Sequence, residues 1–168
     1  MKKALIVIDI QNDYFKNGKF PLWNAENTLN NVEKAIEKAT ATNIPVVLIQ
    51  HIADSNSPFF NEGTEGVEIH PRILKAAPNA MKVIKTFADS FHKTKLDEVL
   101  SQLEVEEILV CGMMTQNCVV FTAISKNAEK YSVKILSDCC TTLNEPTHQI
   151  ALQGVSTRME LLSYNEAI

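Results

Sequence analysis

The chain lacks any apolar run approaching the ~20 residues of a membrane-spanning helix, so no span is expected. It also lacks a strong charge of either sign: 20 acidic face 16 basic side chains in 168 residues, a formal net charge of −4. Such a surface gives no electrostatic reason to expect nucleic acid or anionic lipid as a partner. Cysteine is sparse, and Cys111, Cys118, Cys139 and Cys140 are the four present. With no CxxC pair among them, neither a disulfide framework nor zinc or thioredoxin-like chemistry is indicated. Vicinal Cys139-Cys140 form a strained disulfide only with difficulty, which argues against a redox sensor. No glycine-rich or Ser/Thr-rich phosphate loop follows Ile8, against a flavodoxin-like cofactor binder. Internal repeats and low-complexity linkers are missing too, so residues 1–168 are expected to form one domain. The opening Met1 to Asp9 has a charged start and an apolar stretch. Asp9 ends that stretch early and no small-residue cleavage site follows, so it reads as a first strand of a cytoplasmic protein rather than a signal peptide.

What is present alternates in period. Ala4 to Ile8 is a continuous apolar run, the pattern of a parallel strand covered on both faces. Ala25 to Ala41 carries Leu29, Val32, Ile36 and Ala39 at helical spacing. Pro45 to Ile49 reads as a second strand and Met81 to Ile84 as a third. Thr94-Lys95-Leu96-Asp97 resembles a capping box opening a helix with Leu96, Val99, Leu100 and Leu103 inward. Ile108 to Cys111 is a fourth strand, followed by a helix containing Cys118, and Val133 to Leu136 is a fifth. Asn144 to Val155 reads as a helix capped by Asn144 with Pro146 in its first turn; Met159 to Leu162 completes the set. Strand and helix in turn predict an α/β fold, a three-layer α/β/α Rossmann-like sandwich on a central, mainly parallel six-stranded sheet.

The interval Ala53 to Ala77, with Pro58, Gly63, Gly66, Pro71 and the pair Phe59-Phe60, breaks this grammar. It leaves the carboxyl end of strand two, where open α/β sheets bind ligands, so it is read as a pocket wall or a surface excursion. Asp9, Lys85 and Cys118 lie at the carboxyl ends of three different strands, and a parallel sheet brings those ends to one edge. A thiolate is a nucleophile, a carboxylate within hydrogen-bond reach can take the thiol proton, and an ammonium favours the resulting negative charge. Each residue also has a plainer reading: a turn-binding Asp, a solvated Lys, a Cys in core packing.

The segments IDIQNDYF, KTFADSF and GMMTQNCV resemble three signature blocks of the isochorismatase-like cysteine hydrolases, a superfamily with nicotinamidases and N-carbamoylsarcosine amidohydrolase among its members. The resemblance continues through EGTEGVEIHPRI, TKLDEVL, SDCCTT and HQIAL, nearly the whole chain. It implies Asp9 as general base, Lys85 as positive partner and Cys118 as nucleophile in the hydrolysis of an amide or ureide-type C–N bond through an acyl-enzyme. It further implies a cis peptide joining Met113 to Met114, an oxyanion hole from the backbone N–H groups of Met114 and Cys118, and a homo-oligomer, a dimer or larger. No cofactor is implied. The nicotinamidase metal motif, Asp-x-His after the second strand, is replaced here by His51 and Asp54 in the opposite order, with His70 downstream, so no metal is expected. Isochorismatases proper cleave a vinyl ether and lack the cysteine at this turn; that reaction and a non-catalytic small-molecule binder are the alternatives. The substrate is expected to be a small molecule held by Gln11, Phe15, His51, Phe60 and Phe91. For the aromatics a second reading stands, with Phe91 in the core and Phe59-Phe60 at a dimer contact. Trp23 is expected to anchor the entry to the first long helix.

Overall fold

The computed structural model describes all 168 residues. Six strands form one sheet: β1 (Lys3–Ile8), β2 (Val46–His51), β3 (Met81–Lys85), β4 (Glu107–Met113), β5 (Ser132–Thr141) and β6 (Glu160–Leu162). Their order is β3-β2-β1-β4-β5-β6 and every neighbouring pair is parallel. Each parallel step needs a crossover. The helices that supply them are α1 (Ala25–Ala41), α2 (Pro71–Ala76), α3 (Leu96–Gln102), α4 (Val120–Ala123) and α5 (Glu145–Val155), with α6 (Tyr164–Ala167) closing the chain. The result is the expected three-layer α/β sandwich. No helix is long and apolar enough to cross a membrane.

Burial explains the strand sequences. β1 and β4 lie side by side at the centre, covered on both faces, and are buried almost throughout. Edge strand β3 is different: Val83 and Lys85 are buried while Lys82 and Ile84, which alternate with them, are exposed. Period-2 alternation therefore turns Lys85 inward and makes it part of the strand, one residue past the end expected at Ile84. α1 lays Leu29, Val32, Ile36 and Ala39 against the sheet and is flanked by α2 and α6.

Some local expectations are corrected. The Cys118 segment is not a regular helix: Thr115–Val119 is a single π-turn leading into the short α4. β5 runs on to Thr141, well past Leu136, because an irregularity opposite Val110–Gly112 lets SDCCT rejoin the ladder. Thr94 Oγ1 accepts from the Leu96 amide, but no reciprocal bond forms, so the capping box is absent there. The complete one is Ser163 with Glu166, which opens α6. Asn144 does cap α5, its side chain accepting from the Thr147 amide.

Strand order reverses between β1 and β4. In an open α/β sheet that switch creates a crevice beyond the strand carboxyl ends. Here the crevice is tight: Gly112 has φ of 125°, and a Cβ on it would lie 2.0 Å from the Ile8 carbonyl oxygen. Only glycine allows β4 this close to the end of β1.

Candidate active site

Asp9 is the first residue past β1 and takes a left-handed conformation, φ 52°, uncommon for a residue with a side chain but tolerated by Asp. Its carboxylate lies against the ammonium of Lys85, Oδ2 to Nζ 2.8 Å. The two residues come from strands separated by β2, about 10 Å apart at ~4.8 Å per strand. A lysine is long enough to cover most of that gap. Lys85 pairs in register with His51 of β2, and on its way across meets His51 Nδ1 at 2.9 Å. It also donates to the Phe87 carbonyl at 3.1 Å and to Cys118 Sγ at 3.3 Å. One ammonium thus has four acceptors for three N–H groups. Asp9 and Lys85 are each 1% exposed and Cys118 4%. The carboxylate, the His51 ring and the sulfur all lie within 4.8 Å of one another.

The electrostatics follow from burial. Burial, then the Asp9 charge, push the Cys118 thiol up to about 12 against the pull of Lys85. The resting pair is therefore a thiol beside a carboxylate. Burial works against the Lys85 ammonium, yet Asp9 and Cys118 together outweigh it and hold Lys85 above its ordinary value. Burial and then Lys85 lower His51, with Asp9 opposing. Since an ammonium can only donate, neutral His51 accepts at Nδ1 and carries its proton on Nε2.

The Met113–Met114 peptide that enters the π-turn is cis. Cys118 lies within that turn, and Val119 N donates back to Met114 O at 3.3 Å. π-turns are rare and concentrate at functional sites.

Of the expected ligand-facing residues, His51 joins the central group and Phe60 lies beside it. The Phe60 ring is 6.0 Å from His51 and 4.5 Å from Tyr14. Phe59 and Phe60 pack on each other and on Tyr14 within the chain. The Gln11 amide bonds to backbone: Nε2 donates to the carbonyls of His51 (2.8 Å) and Val67 (2.7 Å), and Oε1 accepts from the His51 amide at 2.8 Å. It ties the end of β1 to β2 and to the long loop. Phe15 and Phe91 turn to rings outside the central group, Phe15 to His70 at 4.6 Å and Phe91 to Tyr131 at 6.2 Å. Trp23 is an anchor as expected, its amide donating to Thr142 O.

The donors His51, Asp54 and His70 do not converge. Asp54 Oδ1 binds its own turn through the Asn56 amide and Ser57, and His70 Nδ1 accepts from Arg72 N at the start of α2. The residues of a nicotinamidase-type metal motif are therefore not assembled. Asp9, His51 and Cys118 do converge, but on the Lys85 ammonium, whose charge opposes a second cation.

Two residues escaped the sequence reading. Tyr14 is buried, and burial followed by the charges of Asp9 and Cys118 raises its hydroxyl well above the ordinary value. It lies inside the IDIQNDYF block, only five residues beyond Asp9. Asp13 is the other: it accepts from the amides of Phe60 (2.8 Å) and Lys19 (3.0 Å), pinning the aromatic loop to the site.

An isochorismatase domain model matches residues 3–165. The isochorismatase family protein YddQ of Bacillus subtilis is 39% identical over 143 residues, covering 84% of this chain and 79% of its own. Nicotinamidase 3 of Arabidopsis thaliana is 30% identical over 166 residues, covering 91% and 80%. A crystal structure named as an isochorismatase, from Burkholderia xenovorans, superposes with a TM-score of 0.90 at 29% identity, covering 98% of this chain and 85% of that one.

Proposed function

The chain belongs to the isochorismatase family of hydrolases, and we propose that it cleaves a C–N bond of a small amide or ureide through a Cys118 acyl-enzyme. The observation that carries this reading is the meeting of sulfur, carboxylate and ammonium in one buried cluster, with Lys85 Nζ 2.8 Å from Asp9 and 3.3 Å from Cys118. A relative named nicotinamidase supports an amide as the bond class.

The roles follow from the charges. With its thiol at about 12, Cys118 attacks only as its proton leaves, and Asp9 is the acceptor at hand. Asp9 Oδ1 is buried and has no hydrogen-bond donor, a costly arrangement unless that oxygen has a proton to take. As the S–C bond forms, the carbonyl becomes an oxyanion facing the Met114 and Cys118 N–H groups. Collapse breaks the C–N bond, and the proton held by Asp9 passes to the leaving nitrogen. Water, deprotonated by Asp9, then cleaves the thioester and frees the thiol. Lys85 steadies the developing thiolate, its Nζ 3.3 Å from the sulfur. His51 offers its Nε2–H as a fixed donor to substrate, and Tyr14 and Phe60 wall the group with aromatic surface.

An ammonia-release screen over small amides and ureas tests the proposal. Turnover should appear for at least one compound, vanish in Cys118→Ala and fall on the order of 10³-fold or more in Asp9→Asn. Turnover of a vinyl ether that survives Cys118→Ala would assign the other reaction.

A further inference from the structure

We propose that His148 is a positioning residue for the nucleophile turn, acting through Thr115; this rests on the reading of Cys118 as the nucleophile. Thr115 opens the π-turn, three residues before Cys118, and is fully buried. Its hydroxyl meets His148 Nδ1 at 2.8 Å. His148 projects from α5, the helix that packs on this turn, and is 7% exposed. Its ring lies against Trp23, centroids 5.8 Å apart. Trp23 is itself fixed to the end of β5, its amide donating to Thr142 O at 3.0 Å and its carbonyl accepting from the Thr141 hydroxyl. A continuous chain of contacts thus runs from β5 through Trp23 and His148 to the start of the turn.

The far end of the same segment is held separately. The Thr122 hydroxyl on α4 donates to Ser90 Oγ at 2.8 Å and accepts from Ser90 N at 3.0 Å. Ser90 lies in the loop after Lys85, so this second clamp keeps nucleophile and ammonium in one frame. Between the clamps lie residues 116–121, none of them charged; Thr142 Oγ1 donates to Gln116 Oε1 and Lys85 Nζ to Cys118 Sγ. Placement of a nucleophile and its oxyanion donors tolerates little error, since a displacement near 1 Å costs about 100-fold in rate. His148 therefore acts on the reaction without touching substrate, by fixing where the Met114 and Cys118 amides and the sulfur stand. The mechanism uses no other property of this buried imidazole.

Two readouts test this. The first is the rate of Cys118 alkylation by iodoacetamide, which needs no substrate; the second is amide hydrogen exchange across residues 114–119. His148→Ala and the near-isosteric Thr115→Val should each slow alkylation about tenfold and speed exchange at the turn, and the double variant should be no slower than either single one. His148→Asn, which sets an amide near the place of Nδ1, and Thr115→Ser should recover most of the rate. Unchanged alkylation and exchange in folded Thr115→Val would overturn the proposal while leaving Cys118 a nucleophile. If Cys118→Ala leaves the turnover of a small amide intact, the nucleophile reading falls and takes this one with it.

Discussion

Both edges of the sheet bury a carboxylate beside lysine ammonium groups, and only one of them looks like chemistry. At the carboxyl edge Asp9 and Lys85 meet at 2.8 Å with both side chains sealed from water. At the amino edge Glu107 is 1% exposed, but Lys3 at 3.4 Å and Lys134 at 3.5 Å keep 33% and 24% of their side chains in solvent. Lys134 also bonds Glu160, so its charge is shared and free to rearrange. The amino edge even has a hollow of its own, a concavity of about 910 Å³ lined by Lys3, Pro45, Ala80 and Leu103. No cysteine or histidine lines it. Convergence of unlike reactive groups in a locked geometry marks the site, and open space does not.

The sharpest break between the edges is catalytic. Cys118→Ser should lower kcat/KM on the order of 10³-fold or more, whereas Glu107→Gln should leave it within about twofold. Steady-state kinetics on any amide found by the ammonia screen decides this.

Stability should divide the edges next. Lys85→Met leaves Asp9 buried and unpaired and should cost about 3–5 kcal/mol; Lys3→Met, removing a half-open partner, should cost less than about 1 kcal/mol. Urea denaturation of both variants measures the difference, and equal losses would erase the distinction between the edges. Gly112→Ala should fall between them, at about 2 kcal/mol or more, because the added Cβ meets the Ile8 carbonyl and the positive φ disfavours it.

The smallest effect is the pH dependence. His51, His70 and His148 are all lowered from 6.5, mainly by burial. The unfolded chain therefore binds more protons as pH falls through 6.5, and stability should decline below it. On the alkaline side Cys118 is raised from 9.0 to about 12; the unfolded thiol ionises first, so stability should decline as pH climbs above 9.0. Thermal melts across pH 5–10 check both limbs. Cys118→Ala should make the alkaline limb shallower, Cys111, Cys139 and Cys140 being raised by burial too, and Glu107→Gln should leave it unchanged.

Much of the frame was legible from residue patterns. Continuous apolar runs named the buried strands, the spacing of Leu29, Val32 and Ile36 named α1, and Asn144-Glu145-Pro146 named the start of α5. Two short helices went unread although their signals are present: Pro71 opens α2 behind the His70 cap, and Ser163 with Glu166 opens α6. Aromatic residues were harder to place. Phe15, Phe60 and Phe91 look alike in a sequence, and only packing sends Phe60 to His51 while Phe15 and Phe91 go to other rings.

By itself the sequence determined the layering and which strand ends carry an acid, an amine and a thiol, because local hydrophobic period sets where strands stop. Tertiary structure alone decided that these groups touch. Sheet order sets β3 two strands from β1, so Lys85 must reach across His51 to Asp9. The ionisation of Cys118 likewise depends on neighbours 109 and 33 residues distant along the chain, Asp9 and Lys85, a coupling through space that no local pattern of residues encodes.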